Sequence, residues 1–292
     1  MYAWLVALIA SLLATCAHIV KEGRLEKEGN VQRGLHKLYA VLEPVILKLL
    51  DWMLKSRLIG GNKAGRLLLK GLAKLLWFLP HGVVVDYAAL ERLLVWIEKQ
   101  GDSHIVIGPC VCKRALGVRE EPYMTNMTIL YGAEIYKEVL PEEYRFISKD
   151  EALRMLKEFE KHGLVHAVFA CFNSSKWTFV ICNCDRKYCV PLRAYLKVRE
   201  GMYPGSLVAE VSAELRRGTE ECGECMEVCP FNAVEFRDGK PYVDKDRCMG
   251  WGLCVERCPA DARRLVPGER YRPRVIPLDI MYPSLAGAHQ PV

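Results

Sequence analysis

The chain has 292 residues, a net charge of +6 and 13 cysteines. That length allows one large or two smaller domains with ample core. Thirteen cysteines in a chain so unlike a small secreted domain argue against a disulfide scaffold and for a reducing compartment where thiolates bind metal.

The charge is uneven: residues 1–80 hold twelve Lys/Arg against five acids, +7, which leaves −1 for the remainder. Tyr2–Val20 is a run of 19 residues whose only ionisable side chains are Tyr2, Cys16 and His18. About 20 apolar residues span a bilayer as a helix, so a transmembrane or anchor helix is expected over 1–20. No basic residue precedes the run, as a signal peptide would require. Lys21, Arg24 and Lys27 follow it, and by the positive-inside rule the bulk of the chain then faces the cytoplasm. A buried core helix is the competing reading.

Residues 21–80 predict basic amphipathic helices. Leu35–Leu58 is apolar at roughly helical spacing and breaks at Gly60-Gly61-Asn62. Gly65–Leu79 carries Arg66, Lys70 and Lys74 at i, i+4 and i+8. A basic stripe on an otherwise apolar helix suits the surface of an anionic bilayer. It suits equally a helix packed on the protein's own core with its lysines outward. No recognition motif accompanies these charges, so nucleic acid is not an expected partner. The glycines at 60–65 do not match a phosphate loop.

Residues 81–205 predict a separate α/β module. Asp86 caps a helix over Tyr87–Gln100, and His104–Ile107 reads as a short strand. Ser148-Lys149-Asp150-Glu151 is a capping box for a helix ending near Gly163. Leu164–Phe169 and Thr178–Ile181 read as further strands. Five cysteines gather near these strand ends: Cys110 and Cys112 after the first, Cys182, Cys184 and Cys189 after the last. Loops at strand ends present ligands, so these five are candidate metal ligands for iron–sulfur or zinc. Reduced structural cysteines are the alternative, because C-x-C alone is a weak pattern. Cys171 reads as core. His18, His81, His104 and His166 have no partner at ligand spacing, and no Ser-His-Asp set or carboxylate pair is readable.

The C-terminal part holds two runs that each end in Cys-Pro. Cys222, Cys225 and Cys229 follow C-x2-C-x3-C-P, and Cys248, Cys254 and Cys258 follow C-x5-C-x3-C-P. Such spacing turns several thiolates toward one iron–sulfur cube, while the cysteine before the Pro serves the second cube. Ala233–Phe236 and Pro241–Val243 flank an Asp238-Gly239 turn, a hairpin pattern. Zinc would want paired C-x2-C spacing, which is absent. Beyond Leu265, five prolines predict an extended arm over 267–292.

Residues 206–266 resemble the bacterial-type two-cluster ferredoxin domain. That resemblance implies one cluster on Cys222, Cys225 and Cys258 and the other on Cys229, Cys248 and Cys254. A full run has four cysteines, C-x2-C-x2-C-x3-C-P; here Thr219 and Trp251 stand in two of those places. Each cluster therefore keeps three cysteines, with 4Fe-4S and 3Fe-4S types both open. Over about 81–260 the chain also resembles a family of anaerobe iron–sulfur proteins, whose Cys-x-Cys-Arg and Cys-Asn-Cys-Cys elements precede a ferredoxin domain. Gly163-Leu164-Val165-His166 and Cys182-Asn183-Cys184 match it. Asp185, Lys187 and Tyr188 stand where that family implies further cysteines.

The chain is thus expected to be α+β: N-terminal membrane and amphipathic helices, a central α/β module, a C-terminal ferredoxin-like iron–sulfur domain and a Pro-rich tail. The expected function is membrane-associated single-electron transfer, with a redox protein as partner. The alternatives are an enzyme subunit using an open cluster iron as Lewis acid, or a redox- or iron-sensing interaction protein.

Overall fold

The structure is a computed structural model that describes residues 30–75, 81–99, 104–170, 179–212, 222–268 and 281. Helix α1 (Asn30–Lys55) leads through a tight turn to α2 (Lys63–Leu75). Asn62 caps α2, its side-chain oxygen accepting from the Gly65 amide at 2.7 Å. Among the described residues no helix is long and apolar enough to cross a membrane. The run Tyr2–Val20 lies outside them.

The central elements are β1 (His81–Val84), α3 (Tyr87–Lys99), β2 (Ile105–Gly108), α4 (Val111–Leu116), β3 (Asn126–Ile129) and α5 (Tyr131–Val139). They continue with β4 (Arg145–Phe146), α6 (Lys149–Lys161), β5 (Val165–Ala170), β6 (Phe179–Cys184), α7 (Val190–Val198) and β7 (Met202–Tyr203). The seven strands form one sheet in the order β4-β2-β3-β6-β5-β1-β7. Every pairing is antiparallel except the β1–β7 edge. The α/β module is therefore an antiparallel sheet covered by helices.

Two caps expected from the sequence are present. The Asp86 carboxylate accepts from Ala89 N at 3.3 Å, and the Ser148 hydroxyl from Glu151 N at 3.2 Å. Because side chains alternate along a strand, the sheet has two distinct faces. Val83, Val85, Ile107, Met127, Val168 and Ile181 meet α3 and α6 on one of them. Val84, Val165, Ala167, Cys182 and Cys184 turn to the other, beneath α4, α7 and α1.

The C-terminal segment has β8 (Leu207–Val211), α8 (Glu224–Glu227), β9 (Val234–Arg237), β10 (Lys240–Val243), α9 (Leu253–Glu256) and β11 (Arg263–Pro267). β9 and β10 form the expected hairpin, turning through Asp238 and Gly239 at φ +50° and +71°. β8 and β11 pair antiparallel. The segment is an internal repeat. Cys229-Pro-Phe-Asn232-Ala-Val234 and Cys258-Pro-Ala-Asp261-Ala-Arg263 each follow a one-turn helix and lead into a strand. Asn232 and Asp261 hold the same left-handed conformation, φ +52° and +48°, which Asn and Asp tolerate best among non-glycines.

This segment is seated against the sheet. Tyr195 of α7 meets Phe231 edge to face at 6.0 Å. Arg257 donates to the Glu160 and Lys161 carbonyls at the end of α6, at 3.2 and 2.7 Å. Gly205 N bonds Met249 O at 3.0 Å, and a Cβ on Gly205 would fall 2.4 Å from Val84 O, so only glycine fits there.

Candidate metal centres

In the C-terminal segment, α8 puts Cys225 on one helical turn with Cys222 just before it and Cys229 just after. The second half repeats this with Cys254 on α9 and Cys258 after it. The sulfurs sort into two groups, each borrowing one cysteine from the other's run. Burial, then the neighbouring Cys222 and Cys258 thiols, push Cys225 upward. Burial, with Cys248 and Cys229 alongside, pushes Cys254 up to about 12. Cys229 is raised likewise, by burial first and then by Cys248. Backbone amides are aimed at two of these sulfurs: Ala209 N donates to Cys248 Sγ at 3.4 Å, and Ala262 N to Cys258 Sγ at 3.3 Å.

Beside the second group lies a small half-open pocket lined by Cys229, Cys248, Trp251, Cys254, Phe231 and Ala209 among others. Trp251 is buried, and its indole N–H has no hydrogen-bond partner among the described residues. Arg263 is 6% exposed; its Nη2 donates to Cys225 Sγ at 3.0 Å, and its charge opposes the upward shift of the Cys254 thiol. Its Nη1 is buried without a partner among the same residues. Buried donors without acceptors are costly, and clusters rich in sulfide and thiolate are the acceptors these two lack. The donor set fits iron–sulfur clusters. Thr219, Glu220 and Glu221 lie outside the described residues.

The five central cysteines also come together, though not where the sequence suggests. β6 runs on through Cys184, so Cys182 and Cys184 project from within a strand and not from a loop after it. Asn183, between them, turns to the opposite face. There its Oδ1 pairs with His166 Nδ1 at 2.6 Å, and its Nδ2 donates to Thr125 O at 2.9 Å. Cys110 and Cys112 approach from the start of α4, and Cys189 caps α7, its Sγ accepting from Leu192 N at 3.5 Å. Val190 N donates to Cys112 Sγ at 3.4 Å.

The central thiols hydrogen bond one another. Cys112 and Cys184 donate to Cys189 and hold it down to about 6, as a thiolate. Cys182 and Cys189, with burial, push Cys184 far up. The Cys112 bond and burial raise Cys110. Cys171 lies outside the described residues.

Sequence reasoning overlooked Lys113, which stands in the Arg place of the Cys-x-Cys-Arg element. It is 1% exposed and fully partnered, reaching Asp185 at 3.1 Å and the Glu120 and Pro122 carbonyls at 3.1 and 3.0 Å. Asp185, in the place of an implied cysteine, therefore neutralises a buried cation.

Among the described residues no three His, Cys, Asp or Glu close around a single ion. A cluster is held from outside, by sulfurs spread around it.

Residues 220–262 match the family model of the 4Fe-4S dicluster domain. An uncharacterised ferredoxin of Methanocaldococcus jannaschii is 45% identical over 42 residues, 14% of this chain and 28% of that protein. One subunit of the Na(+)-translocating ferredoxin:NAD(+) oxidoreductase complex of Acetobacterium woodii is 45% identical over 53 residues, 18% of this chain and 16% of that one. A ferredoxin of Methanothermococcus thermolithotrophicus is 42% identical over 43 residues, 14% of this chain and 72% of its own length. The chain thus spans under a third of the first two relatives. No solved structure matches.

Proposed function

The chain belongs to the ferredoxin family through its C-terminal 4Fe-4S dicluster domain, and from that premise we propose how it carries electrons, on which residues and where. Iron–sulfur electron transfer with two clusters is the function its relatives support. Delocalised iron accepts a single electron with little rearrangement, and the protein sets the potential through charge, hydrogen bonds to sulfur and exposure.

One cluster is held by Cys222, Cys225 and Cys258, the other by Cys229, Cys248 and Cys254. The observation that carries this is the sorting of six sulfurs into two groups, each completed by the cysteine before the other run's proline. Trp251 occupies a ligand place with a side chain that has a donor but no lone pair for iron. The cluster beside it is therefore a three-iron one, and the first keeps four irons with an oxygen ligand from Glu220 or Glu221. Cys110, Cys112, Cys182, Cys184 and Cys189 form the candidate for a further metal site. What supports it is their convergence on one sheet face, with Cys189 held as a thiolate.

The protein works at a membrane, its bulk on the cytoplasmic side, and hands electrons to a redox partner. Support comes from Tyr2–Val20 and from the apolar surface of α1, α2 and the turn between them, where Trp52, Leu58, Leu67 and Leu68 are 60–82% exposed. Arg66, Lys70 and Lys74 accompany them, and α2 carries no acid. Such a face suits an anionic bilayer.

Anaerobic purification with iron and sulfide counts and low-temperature electron spin resonance tests the cluster reading. Mild oxidation should leave a three-iron signal, and Trp251→Cys should convert it to a four-iron one. Absence of that signal in the wild type would overturn the three-iron assignment. The intact chain should stay with membranes through a high-salt wash; full solubility without detergent would overturn the membrane reading.

A further inference from the structure

The internal repeat sets Arg263 against Val234: each is the fifth residue after its Cys-Pro cysteine, and each opens a strand. Val234 is apolar and buried, as that place between the two halves requires. Arg263 is equally buried but carries a charge. Taking a cation out of water costs several kcal/mol unless it is paired, and among the described residues no carboxylate pairs with this one. It donates to Cys225 of one group, its charge acts on Cys254 of the other, and one guanidinium nitrogen is left over.

We propose that Arg263 is a positioning residue shared by the two clusters, a buried cation that donates to Cys225 beside one of them and sets its charge beside Cys254 of the other. This rests on the assignment of the six cysteines to two clusters. A fixed positive charge and N–H···S bonds favour the more negative, reduced state of each cluster, so Arg263 raises both potentials. Each added electron stays on its cluster; no bond forms or breaks.

The test is a redox titration of full-length, cluster-loaded protein followed by electron spin resonance, on wild type, Arg263→Met and Arg263→Lys. Iron and sulfide counts on the same samples report separately whether both clusters are present. A wild-type count too low for two clusters strikes the cluster assignment itself, whatever the potentials do. With both clusters loaded, Arg263→Met should lower the electron affinity of each by about tenfold, which is 59 mV for one electron. Arg263→Lys keeps the charge but not the guanidinium and should lower at least one, by less. Unchanged midpoints in a loaded Arg263→Met protein, or a shift confined to one cluster, would overturn the shared role. Should Arg263→Met not load iron, Arg263→Lys decides: a lowered midpoint supports the proposal, and wild-type midpoints at both clusters overturn it.

Discussion

The central and the C-terminal cysteines lie in one continuous core, yet they are held in opposite ways. The central five sit on a strand and on two helix starts, and their sulfurs bond one another and nearby amides. Lys113 beside them is buried but fully partnered. The C-terminal six hang on two one-turn helices and their flanking loops, three of them around a pocket, with buried donors on Trp251 and Arg263 left over. The first arrangement meets the hydrogen bonds of its sulfurs from within the protein; the second leaves two buried donors over.

The sharpest way to break this contrast is to remove the iron. Anaerobic chelation of the loaded protein should abolish hydrogen-exchange protection across the β9–β10 and β8–β11 pairs while β2, β3, β5 and β6 keep theirs. Loss of protection in β6 as well would show that the central thiols also depend on metal. Cys258→Ser and Cys184→Ser extend the test: the first should lower the iron count by one cluster, and an unchanged count in the second would mark its thiol as structural.

A smaller effect is expected at Lys113. Lys113→Met leaves Asp185 and two carbonyls without their cation and should cost about 3–5 kcal/mol, the usual range for breaking a buried pair. Urea unfolding of the central sheet measures it. A cost under about 1 kcal/mol would mean the ion pair is solvated like a surface one.

His166 gives a pH test of the central region. Burial chiefly, with nearby Lys157 adding to it and the Asn183 bond opposing, holds its imidazole down to about 4 from an ordinary 6.5. Glu160 lies 4.0 Å from Nε2. Between pH 4 and 6.5 the unfolded chain binds more protons than the folded one, so stability rises with pH and is fully present above 6.5. About 3 kcal/mol should be lost on acidifying through that window, at 1.36 kcal/mol per unit. Protection of β5 and β6 amides at pH 7 and pH 4.5 reports it, and His166→Gln should flatten the slope.

The smallest effect belongs to the seam. A double-mutant cycle on Tyr195→Ala and Phe231→Ala should give about 1 kcal/mol of coupling, as edge-to-face rings do. Zero coupling would mean the two regions fold independently.

The sequence made the C-terminal site readable because the spacing of its cysteines is itself the chemical requirement. The Asp238-Gly239 turn and the Asp86 and Ser148 caps were readable for the same reason, being local. What stayed hidden depends on distant partners. β6 looked finished at Ile181 because Asn183 interrupts the apolar run, and only His166 and Thr125, on neighbouring chain segments, account for it. β1 and β3 have four residues each, too few to show a period. Lys113 shows its role only once Asp185 is brought to it. Arg263 could have been found by laying the two Cys-Pro runs over each other, where it breaks the apolar pattern that Val234 keeps.

The clasp of Arg257 on the end of α6 and the close approach at Gly205 bear on how electrons leave the molecule. Some carriers work as a cargo head on a tether, swinging between a loading and a delivery point. Here the head is fastened: two carbonyls hold it by hydrogen bonds, and at Gly205 not even a methyl group fits. On the proposed reading, donor and acceptor come to one stationary port.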